Sequence, residues 1–296
     1  MSEKRHFMHM LNDQWARGKF LTVSLNPRPD RMPKGCGDAL TFLDGIIAVT
    51  GETICCYQID PAFLYPVYGS NSLNVAKDLI RHIHEVAPLV PVIADINEAG
   101  AKHTVERAGK LWFGEMGADA ITVCAYHGRF AFLPVLEQQE KGVIVNCRTT
   151  DPEASEFQDA IIKDDSDPLM PLYRRVAWRA SQYWDENHNC ALAIGAKHSH
   201  ELKEIRNVIT QCNRPRVTPF FIYGISSNGP ARIEETVKES VANGQDDRGM
   251  GFSVVTSRTV LYASQGTNCF TAAKAVAQKI NTAILSSRKM QASRIA

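Results

Sequence analysis

No apolar run in this 296-residue chain approaches the ~18–20 residues that a membrane-crossing helix needs. Residues 1–20 (MSEKRHFMHMLNDQWARGKF) lack the apolar core of a secretory leader. Neither sign of charge prevails: 33 Lys and Arg stand against 32 Asp and Glu, a formal net charge of +1. That balance offers no footprint for a nucleic acid polymer, although it leaves room for a local basic pocket. The eight cysteines, at 36, 55, 56, 124, 147, 190, 212 and 269, form no C-x-x-C pair. Four of them (Cys55, Cys56, Cys124, Cys190) lie in or beside apolar runs, so the expectation is small, reduced, buried side chains and no zinc site. Glycine and proline, 19 and 14 residues, build no linker that would divide the chain. These absences predict a soluble, cytoplasmic, single-domain protein with no membrane partner.

The composition that remains, 44% hydrophobic and 22% charged, is that of a globular fold. Short, nearly continuous apolar runs recur at 20–25, 53–59, 91–95, 120–125, 142–147, 190–195, 218–224 and 251–257, as parallel strands covered on both faces require. Segments with helical spacing lie between them, at 71–86, 103–116, 128–139, 172–187, 200–212, 231–243 and 269–286. In 103–116, for example, Val105, Ala108, Trp112 and Met116 make one stripe. Strands and helices in strict alternation predict an α/β fold, a closed (β/α)8 TIM-type barrel over 1–296. The turn after the first run (LNPRPDRMPKGCG) has no G-x-G-x-x-G, which argues against an open dinucleotide-binding sheet. A polar insertion at about 149–171 follows the fifth run and reads as a long loop.

Barrels carry their chemistry on the residues just after each strand. The clearest message comes from the last two ends: the small polar loop 224–229 (GISSNG) opening into a helix, and Ser257-Arg258. Backbone amides at a helix start and a guanidinium fork together suit a phosphate. His198-x-His200 has the residue types of a metal pair, yet it falls at a helix start rather than on a strand, and no metal is expected there. His82 and His84 read as a polar helix face.

Four stretches carry a family resemblance: WARGKFLTVSLNPRPDRMP, GADAITVCAYHG, KGVIVNCRTTDPEASEFQD and TSRTVLYAS. With them the chain resembles, over nearly its whole length, the longer bacterial form of orotidine 5'-monophosphate decarboxylase. The resemblance implies a homodimeric barrel, a pyrimidine nucleoside 5'-monophosphate as ligand, and chemistry without a metal or organic cofactor. It also implies a carboxylate–lysine array, carried by D-x-K-x-x-D after the third strand. Here that stretch reads Asp95-Ile-Asn97-Glu98-Ala99-Gly100, so Asn97 falls on the lysine and Gly100 on the last aspartate. Gln58 falls on a second lysine and Asn26 on a ribose-binding aspartate. Arg258 matches the phosphate-gripping arginine, and Asn228 falls on its partner glutamine, beside Gly229 in a loop that departs from the family's glycine-rich form. Thr150 keeps a hydroxyl for the pyrimidine edge, Thr104 matches a threonine near the ribose, and Asp60 replaces an asparagine.

The resemblance therefore implies a retained nucleotide site without its ammonium groups. Asp95, Asn97, Gln58, Glu98 and His127 are the candidate catalytic residues, with His103, Lys197 and His198 as further acid–base candidates. Three readings stand on these residues. One is an enzyme of altered, lyase-type or acid–base chemistry on a pyrimidine nucleotide or analogue. The second is a non-catalytic nucleotide-binding homologue, and the third is a residual decarboxylase.

Overall fold

The computed structural model describes residues 5–164, 167–197, 199–211, 218–226 and 230–288. Eight parallel strands close into a barrel: β1 (Leu21–Ser24), β2 (Cys56–Ile59), β3 (Val92–Glu98), β4 (Ala120–Cys124), β5 (Gly142–Arg148), β8 (Cys190–Gly195), β9 (Phe220–Tyr223) and β10 (Phe252–Thr256). They pair in chain order and β10 returns to β1, with Val23 level with Thr256. Each of the eight expected runs overlaps one of these strands, and β3 and β5 continue beyond the end of theirs. The apolar runs are buried on both faces because side chains of either parity meet the barrel interior or the surrounding helices.

The helices are α1 (Phe7–Ala16), α2 (Ala39–Thr50), α3 (Pro61–Tyr68), α4 (Ser72–Val86), α5 (Lys102–Gly109), α6 (Arg129–Leu136), α7 (Ser155–Gln158), α8 (Leu172–Arg179), α9 (Ser199–Thr210), α10 (Ile233–Gly244), α11 (Arg258–Leu261) and α12 (Cys269–Ser287). None of the described helices is long and apolar enough to cross a membrane. α1 covers the N-terminal end of the barrel: Phe7 stacks on Phe221 at 6.3 Å, and its N–H donates to the Glu140 carbonyl. Arg5 and His84 reach the same buried carboxylate, Asp119. Burial would push Asp119 up, but the Arg5 guanidinium that donates to it and the neighbouring His84 hold it down at about 2. His84 is thus half-buried against a carboxylate, not on a solvated face.

Two sequence expectations need correction. The insertion after β5 is not a plain loop: it holds α7 and an antiparallel hairpin of β6 (Ile161–Asp164) and β7 (Asp167–Pro171). The cysteines are not all reduced, since Cys36 is bonded to Cys269 across 233 residues of sequence. Closing the barrel brings the loop after β1 beside the start of α12, a proximity that sequence spacing conceals. Cys55, Cys56, Cys147 and Cys190 are free and buried as expected.

Candidate functional site

The C-terminal mouth of the barrel is polar because the last inward positions of successive strands change from aliphatic to amide, hydroxyl and carboxylate. Gln58 on β2 lies level with Ile93 on β3. Asp95, two residues beyond Ile93, therefore faces the same way one layer higher. The Gln58 amide donates to Asp95 Oδ2 at 2.5 Å, and the Tyr223 hydroxyl donates to Gln58 Oε1 at 2.8 Å. A phenol donating to the amide oxygen leaves the amide nitrogen to face the carboxylate, so Tyr223 fixes which end of Gln58 meets Asp95. The other carboxylate oxygen, Oδ1, accepts from Thr122 Oγ1 at 2.7 Å and from Asn97 Nδ2 at 3.3 Å.

Asn97 stands at a distortion. Its φ of 47° is left-handed, and the β3–β4 register shifts between Ala94 and Glu98. Asparagine tolerates that region better than most side chains. The bulge turns the Asn97 N–H onto Thr122 Oγ1 at 2.9 Å, while Asn146 donates to the Asn97 side-chain oxygen. Asp95, Asn97 and Asn146 line a pocket of about 220 Å3 with Thr149, Thr150, Gly195 and Tyr223. A Cβ at Gly195 would strike Thr150 Cγ2, so the glycine admits the start of the insertion to the mouth.

The charges at this pocket are distributed unevenly. Arg148 is its one cationic lining residue among those described. That guanidinium is already committed, donating Nε and Nη2 to Glu201 at 2.8 Å each and Nη1 to Asp159 at 2.9 Å. Every donor to Asp95 is neutral. Burial raises the Asp95 carboxyl above its ordinary value, although Thr122 and Gln58 pull the other way. Burial likewise pushes Asp60 up to about 6, against the Ala62 N–H that it accepts as the cap of α3 and with repulsion from Asp95 adding to the rise.

A second polar group of atoms lies around the rim, at the adjacent ends of β1 and β10. Ser24 Oγ, Asn26 Oδ1 and Ser257 Oγ are buried with no hydrogen-bond partner among the described residues. Next to Ser257, Arg258 opens α11, exposed and with no ion pair among the described residues. Orphaned buried polar atoms are uncommon and need an explanation. Here three of them gather at the ends of β1 and β10, the strand end that Arg258 follows in the chain.

The structure thus gathers Asp95, Asn97 and Thr150 at one pocket, with Gln58 bonded to Asp95, and places Asn26, Asp60 and Arg258 just after the C-terminal ends of β1, β2 and β10. Glu98 turns back onto its own loop, accepting the N–H groups of Ala99 and Gly100 at 3.1 and 2.8 Å. His127 is exposed beside Tyr126, while His103 and Thr104 are exposed on α5. None of these four lines the pocket. His200 sits in the first turn of α9, whereas His198, Asn228 and Gly229 lie outside the described residues. Three residues went unnoticed in the sequence: Asn146 and Tyr223, which line the pocket, and Thr122, which donates to Asp95. Their signal was a single polar residue late in an apolar run (AITVC, GVIVNC, FFIY). A larger hollow of about 1250 Å3 opens at the opposite end, near Asn12, Lys203 and Arg248. Barrels keep their chemistry at the C-terminal mouth, so the smaller pocket is the candidate site.

Fold and site together define a TIM-type barrel with a polar ligand pocket at the C-terminal ends of its strands. No family model matches the chain. It is 33% identical over 284 residues to the orotidine 5'-phosphate decarboxylase of Azoarcus sp. (strain BH72), covering 94% of this chain and 98% of that protein. The enzyme of the same name from Ralstonia pickettii (strain 12J) is 32% identical, over 92% and 95% of the two chains. Among solved structures, the Leishmania donovani OMP decarboxylase superposes with a TM-score of 0.76 at 25% identity, over 94% and 98%. A Methanocaldococcus jannaschii orotidine 5'-monophosphate decarboxylase, complexed with inhibitor BMP, shares the fold with a TM-score of 0.60 at 19% identity, over 90% and 98%. The chain belongs to the orotidine 5'-phosphate decarboxylase family.

Proposed function

We propose that this barrel binds a pyrimidine nucleoside 5'-monophosphate or a close analogue and acts on it by acid–base or lyase-type chemistry without an ammonium group. The observation that carries the ligand assignment is the rim cluster. Ser24, Asn26 and Ser257 hold buried polar atoms without partners, beside the uncommitted Arg258. A sugar-phosphate laid along β1 and β10 would satisfy them, with the phosphate on Arg258 and its neutral end toward Asn26. The ring would then enter the pocket lined from β3, β5, β8 and β9, where Asp95 and Thr150 meet it. Two such sites in a homodimer complete the reading that the family membership supports.

The altered chemistry rests on the company Asp95 keeps. Loss of CO2 from a ring carbon leaves an electron pair there, and preorganised positive charge with a proton donor is the usual remedy. Gln58, Asn97 and Thr122 supply dipoles but no charge, and an amide does not release a proton at neutral pH. Asp95, raised by burial, is suited to accept a proton. The relatives' own activity favours a second reading, decarboxylation through substitute groups.

Calorimetric titration with UMP and with uridine tests the ligand. UMP is expected to bind at least tenfold more tightly. An Arg258→Ala variant is expected to lose ~1.5–3 kcal/mol, about 10- to 150-fold, for UMP alone. Equal affinity for the two ligands refutes the phosphate assignment.

A further inference from the structure

The pocket that would receive the ring has a distinctive electrical character. Asp95 has carboxylate lone pairs for about four hydrogen bonds, and three are taken by neutral donors. The remaining capacity faces a site whose single cation among the described lining residues, Arg148, is outnumbered by Glu201 and Asp159. Asp60 stands close enough to feel the charge of Asp95. Within the described pocket, nothing positive is left for a second anion, and a carboxylate pressed in beside Asp95 would meet like charge in a partly buried site.

Resting on the nucleotide reading above, we infer that the ring edge facing Asp95 carries a hydrogen-bond donor, neutral or cationic, and not a carboxylate. The substrate class is then a pyrimidine nucleotide with an amino or N–H group at that edge. Gln58 and Asn97 serve as specificity-determining residues: an amide at each position takes one acceptor site of Asp95 without cancelling its charge, where an ammonium would have neutralised it. Tyr223 holds this arrangement by occupying the Gln58 oxygen, so that Gln58 cannot turn its acceptor toward the carboxylate.

Three nucleotides that differ at one ring carbon make the test: UMP, its 6-amino derivative and its 6-carboxyl derivative (orotidine 5'-monophosphate), each titrated calorimetrically into the full chain. The expected order is 6-amino, then UMP, then 6-carboxyl, with at least tenfold between the first and the last. Asp95→Asn is expected to compress that range to within threefold, chiefly by improving the 6-carboxyl ligand. If the 6-carboxyl nucleotide binds as well as the 6-amino one to the unsubstituted protein, the inference is overturned while the nucleotide assignment stands. Failure of all three to bind overturns both. Circular dichroism of the Asp95→Asn protein separates lost selectivity from lost folding. If that variant unfolds, Gln58→Lys serves instead, with the expectation that the 6-carboxyl ligand gains at least tenfold.

Discussion

Replacing Glu201 by Gln tests how the insertion is tied to the barrel mouth. Arg148 ends β5 and is 6% exposed, with two 2.8 Å bonds to Glu201 and one of 2.9 Å to the more exposed Asp159. Its guanidinium also lies 5.0 Å from the ring of Tyr173. At an effective dielectric of about 20, unit charges ~4 Å apart attract by about 4 kcal/mol, and breaking a buried pair on one side costs ~3–5 kcal/mol. Gln keeps one acceptor and Asp159 stays in place, so we expect a loss of ~2–3 kcal/mol. The loss should also be felt in the loop, because Gln158 beside Asp159 accepts from the Thr149 N–H at 3.0 Å and donates to Thr149 Oγ1 at 3.1 Å. Urea unfolding with an unchanged slope should show the loss, and hydrogen exchange should rise at 149–160 while the strands stay protected. A midpoint shift equivalent to less than ~0.5 kcal/mol, in the range of ordinary surface substitutions, would refute the reasoning.

Other outcomes follow from single contacts. Tyr223→Phe leaves the buried Gln58 oxygen without its donor at a cost of ~1–3 kcal/mol, which thermal unfolding should show as a fall of several degrees; no change would mean that Gln58 is held by other groups. Asp60 is raised to about 6 in the folded chain and returns to ~3.9 when unfolded, so the folded state holds the extra proton and stability falls as pH rises from about 4 to 6. Asp60→Asn keeps the helix cap and should remove that slope, with a gain on the order of 1 kcal/mol at pH 7 after solvent screening. A slope that persists in urea titrations of the variant would assign it to another group.

Much of this was legible because barrel strands announce themselves. All eight runs were visible, since parallel strands buried on both faces leave no polar alternation to blur them. α2 and α3 escaped because apolar residues off the buried face, such as Ala48 and Val49 in α2 and Phe63 and Val67 in α3, blur the stripe. Asp95, Asn97 and Gln58 could be placed at strand ends, but the bulge at Asn97 could not, since asparagine on a strand reads the same whether or not it turns left-handed. Thr122, Asn146 and Tyr223 were hidden among aliphatic neighbours, and only the closed sheet brings them to Asp95, Asn97 and Gln58 in turn. The Cys36–Cys269 bond was invisible for a related reason: it joins the first and last βα units, which meet only on closure.

Gly100 shows why charges absent from a site are not simply put back. A Cβ there would lie 2.6 Å from Thr104 and 2.8 Å from Glu98 Oε1, so Gly100→Asp must displace both. Gln58→Lys with Asn97→Lys avoids that collision, although the second change asks lysine to adopt φ near 47° at a cost of ~1–2 kcal/mol.

The most direct measurement is the absorbance change on mixing the purified chain with orotidine 5'-monophosphate. The account predicts no turnover above the buffer rate for the unsubstituted protein, and a measurable rate for the Gln58→Lys, Asn97→Lys variant. Turnover by the unsubstituted chain in the ~1–10³ s⁻¹ range common to enzymes would contradict it.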